Sequence, residues 1–238
     1  MRNIISLISI TIFLSLSAFA GKIASIPEAS GISYCNKSHT LVIANDEGSF
    51  YEISPDGTII KQYKLGKYDL EGVVCEEKRF VFAIEKGALL EVNRKTLKSK
   101  KLKIKDGRGD NLKFSKKAGI EGITKIDDLY YISLQTKKAK DSLLLVLKME
   151  KNYLKVVKRI KQRIADSSGM QYYKKRLYIV SDKKDKLYIY NLKKGKIEKK
   201  IKLPKFAQEG VTFDNSGNIY FADDNGAIMK YKMDRFGL

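Results

Sequence analysis

The stretches DLEGV (69–73), GIEGI (119–123) and AQEGV (207–211) share a Glu-Gly-aliphatic core, and Ser30-Gly31-Ile32 and Ser168-Gly169-Met170 repeat it with Ser in place of Glu. Between the glycines the steps are 41, 50, 47 and 41 residues. A step of that length is the length of a four-stranded propeller blade. Gly31, Gly72, Gly122, Gly169 and Gly210 therefore predict one innermost strand each, with glycine admitted because inner strands crowd the axis.

Working outward from each glycine, the same elements recur. A second apolar run ends in a polar or acidic residue at LVIAND (41–46), FVFAIE (80–85), YYISLQ (130–135), LYIVSD (177–182) and IYFADD (219–224). A third run follows at 49–54, 88–93, 142–149, 186–192 and 227–233, and a Lys-rich fourth at 58–65, 98–105, 153–161 and 196–203. These runs are rich in Tyr, Ile, Val, Leu and Phe and are bounded by turn residues such as Pro55-Asp56-Gly57, so each reads as a β-strand. The fifth unit lacks its fourth strand. KIASIPEASG (22–31) aligns with IKLPKFAQEG (201–210), so the strand near the N-terminus is expected to complete the last unit and close the ring. The fold expected is all-β: a five-bladed propeller of four-stranded antiparallel blades, with a six-bladed ring as the alternative if the 106–118 insertion hides further structure.

Residues 1–20 stand apart. Arg2 precedes an apolar run from Ile4 to Phe19, and Ala18-Phe19-Ala20 offers small residues for cleavage. This reads as a secretory signal, with an uncleaved anchor as the alternative, and leaves 21–238 as one propeller domain. The expected location is the periplasm, free or peripherally membrane-associated. Export permits a disulfide between the two cysteines, Cys35 and Cys75, four and three residues after their glycines. Strand alternation aims side chains at these offsets to opposite faces of their sheets, so two buried thiols and one disulfide both remain open.

Propeller topology brings the loop before each inner strand and the end of each second strand to one face. Glu71, Glu121 and Glu209, with Ser30 and Ser168, come from the first set; Asp46, Glu85, Gln135, Asp182 and Asp224, preceded by Asn45, Ser181 and Asp223, come from the second. The chain carries a formal charge of +20, yet this channel mouth is acidic. Converging carboxylates repel one another unless a cation sits among them. An all-oxygen set without His or thiolate suits Ca²⁺. In the competing structural reading, the Glu side chains cap backbone amides and tie blades together.

With "YEISPDGTII" (51–60) and "SDKKDKLYIYNL" (181–192), the motif set resembles the SdiA-regulated family, which includes YjiK-like and CarP-like exported β-propellers. The resemblance spans nearly all of 21–238. It implies an exported or membrane-associated propeller and, in the CarP-like branch, a link to calcium homeostasis. A calcium-dependent hydrolase of lactonase, esterase or phytase type is the alternative. No general base is evident for it, since His39 falls in a hairpin at the opposite face. The lysines of the outer strands read either as solvated edge charges or as a rim for anionic membrane or envelope components. An exported protein meets little nucleic acid, so none is expected as a partner.

Overall fold

A computed structural model describes residues 21–114 and 119–238. The segment read as a secretory signal lies outside the described residues. The strands are β1 (Gly21–Ala24), β2 (Ala29–Cys35), β3 (Thr40–Asn45), β4 (Ser49–Ile53), β5 (Ile59–Lys64), β6 (Leu70–Cys75), β7 (Arg79–Ile84), β8 (Ala88–Asn93), β9 (Ser99–Lys105) and β10 (Ile120–Ile126). They continue as β11 (Leu129–Leu134), β12 (Leu143–Met149), β13 (Tyr153–Lys161), β14 (Met170–Tyr173), β15 (Arg176–Ser181), β16 (Lys186–Asn191), β17 (Lys196–Lys202), β18 (Gln208–Phe213), β19 (Asn218–Asp223) and β20 (Ala227–Lys232). Only short 3₁₀ turns interrupt them among the described residues.

The fold is all-β. β2 to β5 form one antiparallel sheet and β14 to β17 another, while β1 pairs with β20 to give the order β1-β20-β19-β18. The remaining strands make an eight-stranded sheet, β10-β11-β12-β13-β9-β8-β7-β6. Its two antiparallel halves meet through a parallel contact of β13 with β9, from Tyr153 opposite Lys103 to Lys155 opposite Lys105.

Apolar layers lie between successive sets of strands. Phe50 and Val42 pack on Val73, Phe80 and Phe82. Val81 and Leu89 pack with Ile123, Tyr130 and Ile132, and Leu144 packs with Met170 and Ile179. Val180 and Leu187 pack with Val211 and Phe221, and finally Ile32 and Ile43 pack with Tyr220 and Ile228. That last layer returns the C-terminal sheet to the first one.

The repeat glycines make the innermost approach. A Cβ on Gly31 would lie 2.6 Å from the Gly72 Cα; one on Gly72 would touch Ile123 and one on Gly122 would reach Gly169. A Cβ on Gly169 would lie 2.6 Å from the Gly210 Cα, and one on Gly210 would lie 2.8 Å from the Ile32 nitrogen. Each glycine is thus the point where one inner strand meets the next.

Cys35 and Cys75 form a disulfide with Cα atoms 5.3 Å apart. The two side chains do leave opposite faces of their own sheets, but in stacked sheets the front of one faces the back of the next. A one-residue offset is therefore what lets the sulfurs meet. The same stagger recurs in hydrogen bonds, where the Cys75, Tyr172 and Tyr34 amides donate to Ser33, Thr124 and Thr212 hydroxyls of the preceding inner strand.

Candidate functional site

The residue before each repeat glycine sits at a break in strand register. Pairing shifts between Ala29 and Gly31, Leu70 and Gly72, Ile120 and Gly122, and Gln208 and Gly210. Ser30, Glu71, Glu121 and Glu209 are the residues skipped. A bulge of this kind leaves one residue out of the ladder and re-aims its side chain, so the ladder releases these four toward the end of the ring.

A backbone contact places the second set beside the first. The amides of Asp46, Glu85, Gln135 and Asp224 donate to the carbonyls of Glu28, Asp69, Gly119 and Ala207, each three residues before a repeat glycine. In the fourth unit the corresponding residue is Asp166, whose carboxylate accepts from the Lys183 amide at 2.9 Å and pairs with the Lys183 ammonium at 2.8 Å. The position three before glycine thus supplies Glu28, Asp69 and Asp166, carboxylates the sequence reading did not single out. Their signal was available: Asp69 is the first letter of DLEGV, in a recurrent column of its own.

Three of these acids converge. Carboxylate oxygens of Asp46, Asp69 and Glu71 lie within 4.8 Å of one another. Asp46 Oδ1 is buried without a hydrogen-bond partner. Burial and then the charges of Glu121, Asp46, Asp69 and Glu209 push the Glu71 carboxyl up to about 11. Glu209 is pushed up to about 9 by burial and by Glu121 and Asp182, and Glu121 to about 7 by burial and by Glu85 and Asp166. Asp46 rises to about 6, first through burial and then through the charges of Asp224, Asp69 and Glu28, which together outweigh the nearby Ser30 hydroxyl. Glu85 and Asp182 are also raised, first by burial, then by Asp69 and Asp166 respectively. One cause runs through the whole set: half-buried carboxylates facing carboxylates, so each disfavours its neighbour's charge.

Beside this cluster a cleft of about 130 Å³ is lined by Glu121, Gln135, Asp166, Ser168, Asp182, Lys183 and Glu209. At the glycines the channel narrows to about 10 Å³, room for roughly one water.

The other sequence-predicted residues divide by their bonds. Ser30 and Ser168 donate to the Leu70 and Gln208 carbonyls of the next inner strand, tying neighbouring units together. Asn45 Nδ2 donates to the Pro27 carbonyl at 2.7 Å and Ser181 Oγ to the Ala165 carbonyl at 2.9 Å, fastening the loops that lead into the inner strands. Asp223 Oδ1 accepts from the amides of Ala207 and Asn225 and from the Asn225 side chain, and Asp224 is exposed. His39, exposed in the β2–β3 hairpin, meets the Tyr34 hydroxyl at 3.0 Å, at the other end of the strands.

Among known proteins, the family model described as SdiA-regulated matches residues 18–225. No curated protein sequence matches significantly. Among solved structures, the chain is similar to Myxococcus xanthus glutaminyl cyclase, with a TM-score of 0.68 and 11% identity over 88% of this chain and 91% of that one. It is also similar to a streptogramin B lyase structure, with a TM-score of 0.50 and 14% identity over 90% of this chain and 72% of that one. At these identities the likeness is one of fold.

Proposed function

The chain belongs to the SdiA-regulated family, and on that premise we propose that it is an exported five-bladed β-propeller that binds a divalent cation, Ca²⁺, at one mouth of its channel. Support for five blades comes from the glycine-to-glycine contacts, which pass through five inner strands and return to the first. On this reading the eight-stranded sheet is two blades joined by the β9–β13 contact. Support for export comes from the Ile4–Phe19 run, which closes on Ala18-Phe19-Ala20.

The observation that carries the cation is the convergence of Asp46, Asp69 and Glu71 around a buried Asp46 oxygen that no protein group satisfies. A buried acceptor left unpartnered costs about 1–3 kcal/mol, and several like charges at one point add to that. A hard cation removes both penalties. Calcium takes six to eight oxygens from carboxylates, carbonyls and water. Asp46, Asp69 and Glu71 would hold the ion, while Glu85, Glu121 and Glu209 supply negative charge around it. Asp182 joins that outer set from across the cleft. Asp223 is already engaged by three donors and belongs to the frame of the site.

The role fits binding better than catalysis. The cleft beside the cluster, about 130 Å³, is well below the 300–1,000 Å³ usual for organic ligands. Cation binding is tested by calorimetric titration of the metal-free protein with CaCl₂, in wild type and Asp69→Asn. One saturable site in wild type, weakened at least tenfold in the variant, is the expected result. No heat of binding in wild type would sink the proposal.

A further inference from the structure

The described residues expose four large hydrophobic side chains, and three of them lie on one edge strand. Ile59, Ile60 and Tyr63 of β5 are 50%, 58% and 40% exposed; the fourth, Val157, lies on β13. Ile60 stands at a bulge, since pairing shifts from Glu52 opposite Lys61 to Ile53 opposite Ile59. The equivalent bulge residue of β17 is Glu198, which pairs with Arg176 and Asn191 and is at home in water. On β5 the same device projects an isoleucine into solvent.

The flanking charge has one sign. From Gly57 to Tyr68 the chain carries Lys61, Lys64 and Lys67 and no acidic residue. The nearest carboxylate before it, Asp56, is tied into its own turn by Ser54 and Thr58. Lys64 reaches back to the Glu47 carbonyl, leaving its charge at the strand end. Apolar side chains among lysines, on an open strand edge, have two fitting partners: a second copy of the edge or an anionic surface with an apolar interior. Pairing with a second copy would set lysines against lysines, the device by which edges deter self-association.

The unopposed lysine charge beside exposed isoleucines favours the second, and a neighbouring strand adjoins the same edge. Gly57, in the turn before β5, packs on the Ile23 carbonyl of β1, and Lys230 of β20 donates to the Pro55 carbonyl of the same turn at 2.9 Å. The edge of β1 therefore adjoins β5. We infer that the β1–β5 edge is a docking surface for an anionic lipid bilayer, with Ile59 and Ile60 entering the interfacial layer and Lys61, Lys64 and Lys67 meeting headgroup phosphates. A polysaccharide offers the charge but no apolar phase for the isoleucines. This surface does not involve the carboxylate cluster, so its test is independent of the cation.

The chain contains no tryptophan, so a single introduced indole reports locally. Ile60→Trp and Val157→Trp are mixed with vesicles of phosphatidylglycerol and phosphatidylcholine, and separately with phosphatidylcholine alone. The expected result is a shift of Ile60→Trp emission to shorter wavelength, quenched by brominated lipid, with the anionic vesicles only. Val157→Trp should not respond. In the Ile60→Trp background, Lys61→Gln and Lys67→Gln should each weaken vesicle binding about fivefold. The inference is overturned if position 60 is silent, or if both positions respond alike, as insertion of the leading apolar run would produce. It is equally overturned if position 60 shifts with protein concentration in the absence of lipid, which would mark contact between copies.

Discussion

Replacing Glu71 by Gln should raise stability without calcium and shrink the gain that calcium brings. Without metal, the folded chain holds a proton on Glu71, whose carboxyl is pushed up to about 11, while the unfolded chain has released it above its ordinary value of 4.5. The folded state therefore binds the extra proton, and stability falls as pH rises from the unfolded value toward the folded one. At pH 7 the full penalty is about 3 kcal/mol, and relaxation of the neighbouring acids lowers it to about 1.5–3 kcal/mol. Glu71→Gln removes that penalty. For a domain of this size 1 kcal/mol moves Tm by about 2–4 °C, so the variant should melt about 3–12 °C higher in EDTA at pH 7. Calcium at one hundred times its Kd should stabilise wild type by about 2.7 kcal/mol, or about 5–11 °C, and the variant far less. Scanning calorimetry in EDTA and in calcium, from pH 5 to 9, measures both arms. A variant that melts below wild type in EDTA, or gains as much as wild type from calcium, refutes the reasoning.

Three further outcomes follow from the frame around the site. The disulfide closes 40 residues of chain, so Cys75→Ser should cost about 3–4 kcal/mol, read as a lower urea midpoint than wild type under oxidising conditions. Gly31→Ala would drive a Cβ to 2.6 Å from the Gly72 Cα and 2.9 Å from the Glu71 carbonyl, both backbone, and should cost about 1–3 kcal/mol or more; Gly107→Ala, with nothing within 4 Å, should stay within about 0.5 kcal/mol. At the opposite end, burial of Asp214 is outweighed by hydrogen bonds from Asn218, Tyr220 and the Ser216 amide, which hold its carboxyl below the usual range. Its contribution is present above the ordinary Asp value and lost as pH falls through the depressed one. Asp214→Ala should cost about 2–4 kcal/mol at pH 7 and less in acid, measured by urea melts at both pH values.

What the sequence made legible was whatever repeats with a chemical identity. The glycines repeat because inner strands touch there, and Asp46, Glu85 and Asp224 recur at second-strand ends whose amides bond to the loop ahead of an inner strand. What stayed hidden needed the relation between units. The cysteine offset looked unfavourable when each strand was considered alone, and became favourable only once the front of one sheet was set against the back of the next. Asp69 was overlooked for a different reason. Its column reads Glu28, Asp69, Gly119, Asp166, Ala207, so chemistry recurs in three members while only the carbonyl recurs in at least four.

The choice of Ser or Glu before each glycine acquires a physical meaning from the same geometry. Ser30 and Ser168 each donate a proton to a carbonyl of the next inner strand. An ionised Glu has no proton to donate, so Glu71, Glu121 and Glu209 cannot make that staple while charged. Either they keep a proton, as their raised values indicate, or a cation takes its place. Of the three junctions that forgo the hydroxyl, the one at Glu71 is where a bound ion would tighten the ring, with Glu121 and Glu209 adding charge, coupling occupancy of the mouth to stability of the fold. That coupling is why the Glu71→Gln experiment can be read by melting, and why the gain from calcium should shrink with each Glu replaced by Ser.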